Sequence, residues 1–219
     1  MKIMVGLIFV GALLVIGVAS LLDELRIKKL KDNNACERCD LSGVDLMKAN
    51  LERAKLEQAN LREANLEQTN LSGANLKAAD LEQAQFAEAN LEKANLEKAK
   101  LWEAKLLRAD LSGANLSKAS LYKAFVWHAN FEGSNLKGAF LREADLKNVN
   151  FRKANLSGAN LEKTILHGAN FEGALLREAS LLNAEVELEI GYGLRPPFKG
   201  AIFCKTMMPW GSEDNSGCK

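Results

Sequence analysis

Hydrophobic residues in this chain recur every fifth position. In "QANLREANLEQTNLSGANL", Gln58 to Leu76, leucine stands at 61, 66, 71 and 76, each preceded by Asn and, two places back, by Ala or Thr. Neither standard element accepts this period. In an α-helix a step of five carries the side chain roughly 140° past a full turn, so the leucines would spread over every face. In a continuous strand an odd step alternates faces, so half of them would meet water. A chain that bends once per unit and coils returns each Leu to one interior. Fixed short periods of this kind are the mark of solenoids.

The register runs without insertion from Leu41 to Val186, about thirty units. Phe replaces Leu at 86, 131, 151 and 171, and Val at 126 and 186. Two residues earlier the slot is nearly always Ala; Cys39, Val44, Thr69, Ser134, Val149 and Thr164 are the exceptions. Asn or Asp usually fills the place between, and the last two places are mostly charged, Gln, Ser or Gly. One large and one small inward position per unit describe a thin tube with a dry, layered core.

This pattern resembles the pentapeptide-repeat family, whose motif is A(D/N)LXX. The likeness covers Cys39 to about Glu187. It implies an all-β fold, a right-handed quadrilateral β-helix in which four units make one square coil and residues twenty apart stack. About thirty units would give a tube about 36 Å long at the spacing of hydrogen-bonded strands. On that geometry Phe131, Phe151 and Phe171 form an internal ladder. Glu57, Lys77 and Glu97 line up outside, as do Glu103, Lys123, Glu143 and Lys163, and Glu132, Arg152 and Glu172. Opposite charges on adjacent strands favour the native register by tenths of a kcal/mol each.

The domain boundaries follow: 1–22 a hydrophobic anchor or signal peptide, 23–38 a capping helix and linker, 39–187 the β-helix, and 188–219 a C-terminal cap. Ile3 to Leu22 is an uncharged apolar run long enough to span a bilayer. It also reads as a secretory signal, with Gly17 and Ala19 before a cut at Ser20. Leu25 and Leu30 are placed to cover the first coil. In the tail, Ile190, Tyr192, Phe198 and Ile202 are expected to land on Ile165, Leu175 and Leu182, which are apolar where polar residues are usual.

Two signals on location oppose each other. Arg26, Lys28, Lys29 and Lys31 follow the apolar run, which places the tube in the cytoplasm by the positive-inside rule. Cys204 and Cys218 flank "KTMMPWGSEDNSG", a loop that a disulfide could close, and disulfides persist outside the cytosol. "CERCDLSGVDL" and "FCKTMMPWGSEDNSGC" also resemble the ends of cyanobacterial family members exported to periplasm or thylakoid lumen. The extracytoplasmic side is the expectation, with the cytoplasmic face still open. Cys36 and Cys39 fall in inward slots, as thiols or as one local disulfide. A zinc site there lacks its other ligands, since the only histidines are His128 and His167.

Charge and motif content narrow the function. The chain has 29 basic and 28 acidic residues; within 40–186 the counts are 19 and 20. Some family members imitate duplex DNA to occupy DNA gyrase, which requires a strongly negative surface. This tube is near neutral with mixed signs, and it has no basic stripe for nucleic acid. No phosphate loop, GxSxG or HExxH occurs. No catalytic residue, cofactor, metal or small-molecule substrate is therefore expected. The outward slots carry one anomaly: Trp102, Leu107, Tyr122 and Trp127 are apolar, and Phe125 replaces Asn at what reads as the corner between two faces. These five residues form a candidate interaction patch; the plainer account is a ladder of stacked aromatics. The first reading of function is thus a non-enzymatic protein-interaction scaffold, tethered to a membrane by its N-terminal helix, with an unnamed protein partner. The alternative is an inhibitor or protector of a DNA enzyme by DNA mimicry.

Overall fold

The computed structural model describes residues 24–186, 198 and 200–218. The hydrophobic segment 1–22, Ile190 and Tyr192 lie outside the described residues. Within them the repeat is a four-sided β-helix. Parallel bridges join every fifth residue to the one twenty further on, from Ala35 with Lys55 to Ile165 with Glu185. Four faces result, here numbered by their central residues: face 1 carries Asp40, Asn60 and Asp80; face 2 Asp45, Asn65 and Gln85; face 3 Asn50, Asn70 and Asn90; face 4 Lys55, Asn75 and Asn95. Both neighbours of each central residue point inward, so the Leu and Ala slots fill the interior. Nearly all are completely buried.

Each corner is a tight turn. The carbonyl of the inward Leu accepts the N–H three residues on, as from Ala54 to Leu51 at 3.0 Å. The third turn residue has positive φ at every corner from Arg38 to Asn183. That is the type II pattern, which suits Gly and imposes a conformational cost on other residues. Lys, Glu, Gln and Arg nevertheless occupy most of these places, so contacts between coils supply what the turns lack.

The first of those contacts is backbone. Leu61 donates to the Asp80 carbonyl at 2.7 Å, and Asp80 donates to that of Ala59 at 2.9 Å. The second is the Asn of the motif. Asn60 Oδ1 accepts the Arg62 N–H of its own corner at 3.2 Å, while its Nδ2 donates to Asp40 Oδ1 one coil below at 2.9 Å. On face 4 the amides of Asn135, Asn115, Asn95 and Asn75 form a continuous chain with N···O distances of 3.1 to 3.3 Å. A single side chain thus holds a turn and fixes the register. The third contact is the Phe column on face 3: Phe131 to Phe151 at 5.3 Å and Phe151 to Phe171 at 4.9 Å.

Outer charges follow the stacking only in part. Lys77 pairs with Glu97 at 3.0 Å, Arg152 with Glu172 at 2.9 Å, and Lys123 with Glu143 at 4.0 Å. A hydrogen bond from Lys77 holds the Glu97 carboxyl below its ordinary pKa. Glu103, by contrast, accepts from Gln83 at 2.9 Å. These pairs are exposed and contribute little to stability.

At the N-terminal end, helix α1 (24–33) covers the first coil. Leu30 is buried and Ile27 packs beside it, whereas Leu25 is 55% exposed. The expectation that Leu25 joins the cover is corrected: a helix spaces its buried pair three or four apart, and Ile27 with Leu30 meets that condition. Asn34, at φ 50°, ends the helix in the left-handed conformation, and its carbonyl accepts the Lys55 N–H. Cys36 and Cys39 then close the first corner as a disulfide.

The C-terminal tail continues the coil. Phe198, Phe203 and Met208 are buried five residues apart, with Ala201 and Thr206 in the small slots of the last two. Ile202 bridges Leu175 on face 4, Met207 bridges Ser180 on face 1, and Phe198 extends the Phe column at 5.1 Å from Phe171. Lys205 and Gly200 take the positive-φ corner place. This coil sits 27 residues above its predecessor instead of 20, as Leu175 with Ile202 shows. Leu175 thus lies under the tail as expected, and Leu182 lies near Gly211. Ile165 instead bridges Glu185 of the repeat. Strand β1 (Thr206–Met207) pairs antiparallel with β2 (Glu213–Asp214), folding the last residues back over the rim. Cys204 and Cys218 are joined, with Cα atoms 4.7 Å apart. Gly217 fits there because a Cβ would meet the Phe203 carbonyl oxygen at 2.6 Å.

Two substitutions test the register. Leu111→Lys places an unpaired charge in the core and should cost about 3–5 kcal/mol, with loss of β signal. Ser112→Lys points outward and should melt within a degree or two of the parent, by about the margin usual for surface changes. Equal losses in thermal melts would overturn the assigned faces.

Candidate interaction surface

The apolar outward residues converge on one face. Trp102 and Tyr122 stand on the corner between faces 1 and 2, and Leu107 and Trp127 on the corner between faces 2 and 3. Phe125 is the central residue of face 2, bridged to Lys105 below and Asp145 above. It therefore sits mid-face, flanked by both corners, which corrects its placement at a corner. The reason is that the turn residues are the last two of each unit, so the Asn slot falls mid-strand.

Exposure separates these residues from the core. Trp102, Leu107, Phe125 and Trp127 are each 40–49% exposed, and Tyr122 is half-buried. Trp102 and Tyr122 meet edge to face at 5.9 Å. The Trp102 indole N–H donates to Ser120, and the Tyr122 hydroxyl donates to Glu143 at 3.1 Å. Lys123 Nζ lies 5.2 Å from the Tyr122 ring and Lys147 Nζ 5.5 Å from the Trp127 ring. Among the described residues, Phe125 and Trp127 stack on no other ring. A column of stacked aromatics therefore accounts for one pair and leaves the other residues unexplained.

Phe140 was not anticipated. It is the central residue of face 1, bridged to Ser120 and Asn160, and 55% exposed. The signal was present, since Phe140 occupies the Asn slot as Phe125 does. Together these residues mark where Asn and Asp give way to other residues at the mid-face positions. Faces 3 and 4 keep Asn or Asp through the middle of the tube; face 1 has Lys100, Ser120 and Phe140 there, and face 2 has Lys105 and Phe125. Above Phe125, Asp145 Oδ1 is buried without a hydrogen-bond partner. A missing bond of this kind costs about 1–3 kcal/mol. Faces 1 and 2 thus give up stabilising bonds where they gain exposed rings.

Beside the rings is a concavity of about 300 Å³, lined by Lys105, Leu107, Phe125 and Trp127. Its floor is almost wholly apolar. Among the described residues no group of His, Cys, Asp or Glu is arranged to hold a metal ion. His128 lies on a corner beside Trp127 and His167 on the same corner two coils above.

The family model described as pentapeptide repeats matches residues 36–62, 64–102, 94–126, 128–162 and 154–187 in eight copies. The chain belongs to the pentapeptide repeat family, and its coil is the right-handed β-helix of that family. Proteins of this kind are structural or interaction modules, and no catalytic family is indicated. Similar solved structures include HetL, a pentapeptide repeat protein involved in heterocyst differentiation regulation from the cyanobacterium Nostoc sp. strain PCC 7120. It is 28% identical, with 86% of this chain and 98% of that one covered and a TM-score of 0.37. A pentapeptide repeat protein from the Arabidopsis thaliana thylakoid lumen is also 28% identical, over 58% of this chain and 68% of that one, at a TM-score of 0.31. QnrB1, a plasmid-mediated fluoroquinolone resistance protein, is 20% identical over 76% and 87%, at 0.47. Nothing about this chain's role follows from these likenesses. No curated protein sequence matches the chain.

Phe140→Asn distinguishes a ring kept for stability from one kept for contact. The new amide can accept the Arg142 N–H and a bond from Asn160 above, each contributing about 1 kcal/mol. The variant is expected to melt higher than the parent. A lower melting temperature would show that Phe140 serves the fold.

Proposed function

We propose that the protein is a non-enzymatic interaction scaffold whose contact surface is the aromatic region of faces 1 and 2. The observation that supports it is the coincidence of exposed rings with the stretch of faces 1 and 2 where Asn and Asp are replaced at the mid-face positions. Interfaces are enriched in Trp and Tyr, and a few such residues carry most of the binding energy. A rigid tube with one such patch presents it without reorganisation, which lowers the entropic cost of binding.

Location forms part of the proposal. Both cysteine pairs are bonded, and disulfides persist in the periplasm or a lumen rather than in the cytosol. We place the tube on that side, near the membrane that the apolar run 3–22 would enter or cross. No helix among the described residues is long and apolar enough to cross a membrane, and the run itself lies outside them. The DNA-mimic alternative is disfavoured by a repeat with 19 basic and 20 acidic residues over 40–186.

Two measurements test the proposal. Changing Trp102, Tyr122 and Trp127 together to Gln should weaken partner capture from membrane extract by 100-fold or more, at about 2 kcal/mol per hot-spot ring, with the melt nearly unchanged. An unchanged capture with a lowered melt would retire the surface. Peptide mapping of acid-quenched cells without reductant should recover Cys204 linked to Cys218. Recovery as free thiols would put the tube in the cytoplasm.

A further inference from the structure

The chemistry of the partner can be narrowed, on the reading that the aromatic region is a contact surface. Over 100–148, faces 1 and 2, the corner between them and the corner between faces 2 and 3 carry the cations Lys100, Lys105, Arg108, Lys123, Arg142 and Lys147 against the carboxylates Glu103, Glu143 and Asp145. The repeat as a whole is balanced, and the aromatic region is a locally positive part of it. Most of these cations are answered within the tube. Lys100 pairs with Asp80 at 3.2 Å, Arg108 with Glu88 at 4.0 Å, Arg142 with Glu143 at 3.2 Å and Lys147 with Asp145 at 3.3 Å. Lys123 lies 4.0 Å from Glu143.

Lys105 differs. It is exposed and, among the described residues, has no ion pair, yet it lines the apolar concavity with Leu107, Phe125 and Trp127. When a partner covers that concavity, the Lys105 ammonium loses water. A purely apolar partner would leave a charge buried and unanswered, which opposes binding. A partner carboxylate at the same place would restore the lost solvation and add attraction.

We propose that the concavity receives a bulky apolar side chain from a partner protein segment, with a carboxylate beside it that pairs with Lys105. The shape favours a protein over a lipid surface. A hollow takes a protruding side chain, whereas a bilayer is best met by rings that project beyond their surroundings.

The test uses the full chain in detergent as bait for a phage-displayed library of random linear peptides. Enriched peptides are expected to carry Leu, Ile, Phe, Met or Trp next to Asp or Glu. Lys105→Glu should weaken the best synthetic peptide by about tenfold or more and improve its Lys-for-Asp counterpart, the reversal expected of a charge pair. The melt of this exposed variant should match the parent. Enriched peptides without acidic residues, or an affinity indifferent to Lys105→Glu, would overturn the proposal. So would an empty selection accompanied by a Trp emission shift with phosphatidylglycerol vesicles, which would assign the region to anionic lipid. If Trp102, Tyr122 and Trp127 prove necessary for capture while Lys105→Glu changes nothing, the contact surface stands and the acidic partner falls. If the triple variant captures normally, both fall.

Discussion

Each coil is completed only by the coil next to it. A five-residue unit contains one internal backbone hydrogen bond, across a corner whose third residue is held at positive φ. Such a corner is unfavourable by itself for Lys or Glu. Most of its other backbone N–H groups find partners one coil away, and so does the Asn amide that braces it. The Leu and Ala slots likewise become a core only when stacked. Stability is therefore a property of neighbouring coils together, as in other repeat proteins. The ends then become the points where the scheme must be closed.

Most of this was legible in the sequence because the period is redundant. Leu and Ala report the interior, and unit after unit repeats the message. The Phe131–Phe151–Phe171 column and the Lys77–Glu97 pair follow from a step of twenty alone. What was not legible lies where the redundancy fails. The tail coil keeps the inward residues Phe198, Phe203 and Met208 but loses the motif around them, and its offset of 27 breaks the running register. Only the spacing of those three side chains could have revealed it. At the other end, Leu25 and Leu30 look equivalent in composition; the direction of helix α1 over the coil selects Ile27 instead. For the candidate surface, Trp102, Leu107, Tyr122 and Trp127 stood out as apolar in polar slots. Phe125 was found but misplaced, and Phe140 was overlooked, because the Asn slot was not known to be the centre of a face.

The proposed contact surface would give a uniform scaffold an address. The tube gives every outward slot nearly the same environment, so a side chain there is chosen with little reference to the core. Phe125 and Phe140 stand where an amide would have served the fold, and Lys105 stands beside Phe125 without an ion pair among the described residues.

The fold-back of residues 211–218 has a consequence at the scale of assemblies. A parallel coil without a cap ends in a rim of backbone donors and acceptors that can pair with another open strand edge. Here the rim meets a strand of the wrong direction. Lys205 donates to Asn215 Oδ1 at 2.9 Å and Met208 to the Ser212 carbonyl at 2.8 Å. Groups that would have templated a further parallel layer are thus consumed within the molecule, and the Cys204–Cys218 bond fastens the segment that consumes them. The fold-back thus leaves fewer open backbone groups at this end for another chain to pair with.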